Sequence, residues 1–183
     1  MAKYEYVVPL MTDVKKGVGV IIGDWLVTAG HLWKDCSSYS IPWKGLNVIV
    51  EKSAAVYLNE GDAEGEQPDV AIFWAMGLNS PLTLSKSVPE NGTILGTVLK
   101  RKLGASHEAE IENMYGRCEV ISSLTPWYWK GHSDTELLKE DHGSPLVIKN
   151  EVFGLLIDSE PGTARCRCLT AAKLGKLIES LPK

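Results

Sequence analysis

The sequence predicts an all-β protein, a β-sandwich or a pair of β-barrels, finished by one C-terminal helix. Three observations predict it. Short runs rich in β-branched and aromatic residues follow one another along most of the chain. Gly, Asp, Asn and Pro interrupt them at close intervals. Only the last segment places apolar residues at helical spacing.

Strands are expected over residues 6–10, 18–22, 25–28, 46–50 and 70–74. Gly23-Asp24 reads as the hairpin turn between two buried strands, since both residue types tolerate the backbone such a turn needs. Residues 77–81 and 85–92 are rich in Gly, Asn, Ser and Pro. They mark a boundary, with a first unit over 1–80, a linker over 81–92 and a second unit over 93–183. In the second unit, strands are expected over 93–99, 111–114, 118–122, 145–148 and 152–157, the last two joined by a Lys149-Asn150 turn. Ala171, Leu174, Leu177, Ile178 and Leu181 then trace one face of an amphipathic helix over 170–181.

Charge and composition exclude several functions. The net charge of −4 gives no general attraction to nucleic acid or to anionic membrane. The run Lys100-Arg101-Lys102 reads as a solvated strand end. No run approaches the ~20 apolar residues of a membrane-spanning helix. Cys36, Cys118, Cys166 and Cys168 are too sparse for a disulfide scaffold, and residues 1–5 carry no apolar signal segment. A reducing, cytoplasmic setting is therefore expected. No cofactor is expected.

Three segments carry chemistry. In Trp25-Leu26-Val27-Thr28-Ala29-Gly30-His31 a buried strand ends in small residues and presents an imidazole, the placement a general base needs. In Asp69-Val70-Ala71-Ile72 a carboxylate precedes a buried run, where it can orient a histidine. Glu140-Asp141-His142-Gly143-Ser144-Pro145-Leu146 reads as a tight loop entering a strand.

Together these segments resemble the chymotrypsin-like serine proteases. Thr28-Ala29-Gly30-His31 is similar to that family's Thr-Ala-(Gly/Ala)-His, and Asp69-Val70-Ala71-Ile72 to its Asp-(Ile/Val)-Ala-(Leu/Ile). Residues 141–146 are similar to Asp-Ser-Gly-(Gly/Ser)-Pro-Leu except at the nucleophile, and residues 17–23 resemble the first hairpin. The order also fits, with 38 residues from His31 to Asp69 and 73 from Asp69 to His142. The resemblance covers roughly residues 15–180. It implies a double β-barrel with a short C-terminal helix, and a triad of His31, Asp69 and position 142. The compact size and the Leu32 that follows His31 look most like the small proteases of positive-strand RNA viruses, which act in polyprotein processing in the host cytoplasm.

The resemblance puts histidine where the family has its attacking Ser or Cys. An imidazole at 142 crowds His31, and no base is evident for it. The oxyanion hole falls on Glu140, Asp141 and His142, with Glu140 where the family places a glycine. The substrate pocket falls on Glu136, Leu155, Leu156 and Ile157, although Glu136 also reads as a solvent-facing loop acid. Asp141 needs a partner other than the freed N-terminus that digestive members use. Ser144 and Ser133 are weak substitutes for the nucleophile. The expected function is thus an inactive protease-like domain that binds a peptide or protein in the groove between barrels. The alternative is a polyprotein-processing endopeptidase whose natural residue at 142 is Ser or Cys. Two imidazoles with Asp69 behind one of them supply too few ligands for a metal, and none is expected there. Cys166 and Cys168 face one side of a strand, either as buried small groups or as part of a zinc site with Cys118 and His107 or His132. Trp127, Tyr128 and Trp129 are either packing or a partner surface.

Overall fold

The computed structural model describes residues 5–11, 16–32, 39–43, 46–50, 53–57, 68–74, 80–102, 111–123, 127–160 and 162–181. The first sheet contains β1 (Val7–Met11), β2 (Lys16–Ile22), β3 (Trp25–Thr28), β4 (Tyr39–Trp43), β5 (Leu46–Val50), β6 (Ser53–Tyr57) and β7 (Val70–Trp74). Its order is β5-β4-β1-β2-β3-β7-β6. The second contains β8 (Thr83–Leu84), β9 (Ile94–Lys102), β10 (Ile111–Ser123), β11 (Tyr128–Ser133), β12 (Pro145–Ile148), β13 (Glu151–Ser159) and β14 (Arg165–Thr170). Because β12 pairs with both β9 and β13, six of these strands close into a barrel. β8, within the expected linker, adds in parallel to β13. Helix α1 (Ala171–Glu179) packs on β8, β13 and β14. It is the expected C-terminal helix, starting and ending within two residues of the predicted bounds. Among the described residues no helix is long and apolar enough to cross a membrane.

Local chemistry accounts for several of these elements. Gly23 adopts φ of +58° at the first central position of the β2–β3 hairpin, where an L side chain is disfavoured. Lys149 takes φ of +55° in the two-residue turn between β12 and β13. The two strands expected over 111–114 and 118–122 are one strand, β10. Gly116, which reads as a break, sits in the ladder opposite Thr97. A Cβ there would lie 3.1 Å from Asp134 Oδ1, and that carboxylate accepts the Arg117 N–H at 3.0 Å. The glycine makes room for a close approach without ending the strand.

Two apolar clusters hold the molecule together. One joins the first sheet's buried face to Val98, Tyr128, Leu155, Ile157 and Leu169 of the second. The other fills the closed barrel with Leu95, Leu99, Trp129, Leu146 and Leu156. Tyr128 and Trp129 are therefore packing residues, Tyr128 between the sheets and Trp129 inside the barrel. Lys100 is half-buried on β9, and burial draws its ammonium down to about 8.

Cys118, Cys166 and Cys168 converge inside the barrel, with Sγ–Sγ distances of 3.7 Å for Cys118–Cys166 and 3.9 Å for Cys166–Cys168. Gly131 lies between them, where a Cβ would come within 2.6 Å of Cys118 Sγ. His132, one residue on, is exposed, and His107 lies outside the described residues.

Candidate functional site

Strand register brings His31 to Asp69. Thr28 on β3 pairs with Ala71 on β7, so the chain leaving β3 runs beside the chain entering β7. His31 sits in the 3₁₀ turn Gly30–Leu32 that follows. Its backbone N–H donates to Asp69 Oδ1 at 2.7 Å, and its ring Nδ1 meets Oδ2 at 2.7 Å. The Asp69 side chain is 7% exposed and that of His31 40%. The carboxylate is thus walled in and fixes the ring, whose other edge faces the His142 loop.

The loop carrying His142 is stitched to both sheets. The His142 carbonyl accepts the Val18 N–H of β2 at 2.9 Å. The Gly143 N–H donates to Leu156 of β13 at 2.6 Å, and the Ser144 carbonyl accepts the Leu156 N–H at 2.8 Å. Gly143 has φ of +99° and lies directly on the Val18 carbonyl, which also accepts the Thr28 hydroxyl at 2.7 Å. Only a residue without Cβ fits there.

This stitching aims the His142 ring across the cleft. Its Nδ1 lies 3.1 Å from His31 Nε2, and its Nε2 lies 3.1 Å from Ser159 Oγ. The two imidazoles meet edge to face, with planes at 82° and centroids 5.2 Å apart. The His142 ring is held at both nitrogens, and the residue is 7% exposed. Burial lowers its pKa to about 4, and the neighbouring His31 adds to the effect. The ring is accordingly neutral at physiological pH. A proton arrangement with His142 neutral satisfies every contact. His31 Nδ1–H donates to Asp69, His142 Nδ1–H donates to His31 Nε2, and Ser159 O–H donates to His142 Nε2.

The backbone under His142 faces inward. Lys139–Asp141 form a 3₁₀ turn, and the His142 N–H donates to the Lys139 carbonyl at 3.2 Å. Glu140 is half-buried. Asp141 is fully buried, and its Oδ2 accepts the Leu138 N–H at 2.7 Å, which supplies the partner the sequence required. Ser144 is buried with its hydroxyl donating to the Asp141 carbonyl at 2.7 Å. Ser133 is buried on β11, its hydroxyl accepting the Thr135 N–H at 3.3 Å. Neither hydroxyl points to His31 in these contacts.

Of the four residues assigned to a pocket, three have buried side chains and Glu136 is exposed. Leu155 and Ile157 enter the cluster between the sheets, and Leu156 enters the closed barrel. Glu136 is exposed and lines a hollow of about 520 Å³ with Ile94, Arg117 and His132. The part of β13 at the site is instead its end, where Ser159 meets His142 and Asp158 pairs with Arg167 at 3.1 Å. Sequence reasoning does not connect Ser159 to His142. No motif marks that contact, because it depends on how far an imidazole reaches across the cleft.

The fold is the chymotrypsin-like one, and comparison with solved structures agrees. The chain is similar to mouse neuropsin, a serine protease, at 15% identity and a TM-score of 0.73, covering 98% of this chain and 95% of that one. It is similar to the scabies mite inactivated protease paralogue S-D1 at 16% identity and a TM-score of 0.73, covering 100% and 95%. It is also similar to the human pathogenic astrovirus serine protease at 15% identity and a TM-score of 0.63, covering 93% and 91%. No protein-family profile matches the sequence, and no curated protein matches it. At these identities the likeness establishes the fold: the chain is a chymotrypsin-like double β-barrel.

Proposed function

We propose that this chain does not hydrolyse peptide bonds through position 142, and that its cleft serves as a binding surface for a peptide or protein. One observation carries the first part. The His142 ring spans the cleft from His31 to Ser159 and is engaged at both nitrogens. An imidazole so held turns one nitrogen to His31 and the other to Ser159, and neither is free to attack a scissile carbonyl. The Lys139 carbonyl reinforces the reading, since it takes the N–H that would otherwise face an oxyanion. For the second part, the half-exposed His31, Asp158 and Ser159 leave an open polar rim along the groove.

A second reading has one observation in its favour. The His31–Asp69 pair is intact at 2.7 Å, as an endopeptidase with Ser or Cys at 142 would require. One experiment separates the two. A proteome-derived peptide library is incubated with the wild type and with His142→Ser, and products are read by mass spectrometry. Neither protein is expected to generate new termini. Cleavage by His142→Ser would replace the first reading with the second, and cleavage by the wild type would overturn the first directly. Binding is read by panning an unbiased peptide library, with enriched peptides expected to lose affinity for Ser159→Arg, which fills the rim. Peptides that bind this variant equally well would place binding elsewhere.

A further inference from the structure

We propose that Ser159 is an acyl-accepting nucleophile with His142 as its general base, so that this chain hydrolyses activated esters but not peptides. The inference goes beyond the proposed function and shares with it the placement of His142.

Four groups make successive contacts. Asp69 holds His31 at 2.7 Å, His31 meets His142 at 3.1 Å, and His142 meets Ser159 at 3.1 Å. The last contact is the distance expected between a hydroxyl nucleophile and its base. Its acceptor, His142 Nε2, carries the lone pair in the proton arrangement derived above. Burial keeps that ring neutral and makes it a weak base on its own. A cation on His142 would be poorly solvated, but the ring does not have to keep the charge. As Nε2 takes the Ser159 proton, Nδ1 passes its own to His31 Nε2. The cation then rests on the half-exposed His31, against the Asp69 carboxylate. Ser159 is itself half-exposed, so an ester can reach it.

The step balances. Ser159 Oγ bonds to the ester carbonyl carbon, and the carbon–aryloxide bond breaks. The aryl alcohol leaves with the proton returned along the same path. Water then attacks the acyl-serine, passes a proton to His142 and releases the carboxylic acid, which restores the hydroxyl. The substrate class follows from weak oxyanion support. The Asp141 and His142 N–H groups donate to the Leu138 and Lys139 carbonyls, so they give little help with the poor leaving group of an amide. Aryl esters and fluorophosphonates, with good leaving groups, depend less on such help.

The test treats the purified full chain at neutral pH with a fluorophosphonate, locates the adduct by peptide mapping, and follows hydrolysis of an aryl acetate. One adduct is expected, on Ser159. Ser159→Ala is expected to lose both adduct and turnover, and His142→Gln to slow both on the order of 100-fold. In mixtures of light and heavy water the wild-type rate should show two protons in transit. His31→Gln, which ends the path at His142, should show one; that readout separates proton transfer from mere positioning. As a second variant, Ser159→Cys should alkylate faster than free cysteine. No adduct with unchanged turnover in Ser159→Ala, or an adduct on another residue, would overturn the proposal. A bare absence of adduct and turnover would end it while leaving the proposed function standing. An adduct on His142 would overturn both.

Discussion

Gly143→Ala is expected to cost on the order of 4 kcal/mol or more in folding free energy, among the largest effects of any single substitution. Strain and collision both contribute. At φ of +99° an L side chain carries intrinsic strain of about 1–2 kcal/mol. Collision costs more. A Cβ here would overlap the Val18 carbonyl and lie 2.7 Å from Thr28 Oγ1. Neither obstacle is a flexible side-chain end, since one is backbone and the other is bonded to that same carbonyl. The segment cannot slide away either, because the His142 carbonyl and the Gly143 N–H are tied to opposite sheets at 2.9 and 2.6 Å. Gly162→Ala supplies the control. Gly162 also has positive φ, +76°, but a Cβ there would meet nothing within 4 Å. Urea denaturation of both variants should give a small loss for Gly162→Ala, about 1 kcal/mol, and a much larger one for Gly143→Ala. Equal losses would mean that the loop is not clamped between the sheets as described.

The second large effect is a loss of stability in mild acid. The folded pKa of His142 is about 4, against 6.5 for the free group. The unfolded chain therefore takes the proton first as pH falls. The contribution is fully present above pH 6.5 and lost as pH descends through 4. The total is about 3 kcal/mol. Burial is the main cause and His31 the second, with Asp158, Asp141 and Asp69 opposing them. Geometry agrees, because a second proton on the His31–His142 pair leaves two donors facing each other across 3.1 Å. His142→Gln keeps a polar group in the cleft but cannot titrate. Denaturation between pH 7 and 4 should show a shallower stability profile for this variant than for the wild type. Identical profiles would show that the buried imidazole is not the group responsible.

Much of this architecture is written in local sequence. The His31 turn, the Asp69 approach and the 141–146 loop are short patterns whose backbone needs are met by adjacent residues, so each is legible alone. Their order and spacing then bring them together, and the structure places all three in one cleft. Helix α1 is legible because its apolar spacing differs from everything before it. Other features depend on distant contacts. β11 carries Gly131 and alternates without a clean apolar pattern, because its inward face meets cysteines and its outward face is partly covered by the other sheet. Gly116 reads as a break until Asp134 is seen beside it. Residues 155–157 read as a pocket wall by resemblance, and the clusters their side chains enter are set by strands far away in the chain. Ser159 carries no motif. Its part follows from the reach of the His142 imidazole to the next strand end.

The central claim is that His142 is locked between His31 and Ser159. Nitrogen-15 NMR of the histidine rings at neutral pH measures this most directly. The expected spectrum shows His142 protonated at Nδ1 and bare at Nε2, with a through-hydrogen-bond coupling from His142 Nδ1–H to His31 Nε2. A His142 ring that averages both tautomers, or whose shifts are unaffected by Ser159→Ala and His31→Gln, would contradict it.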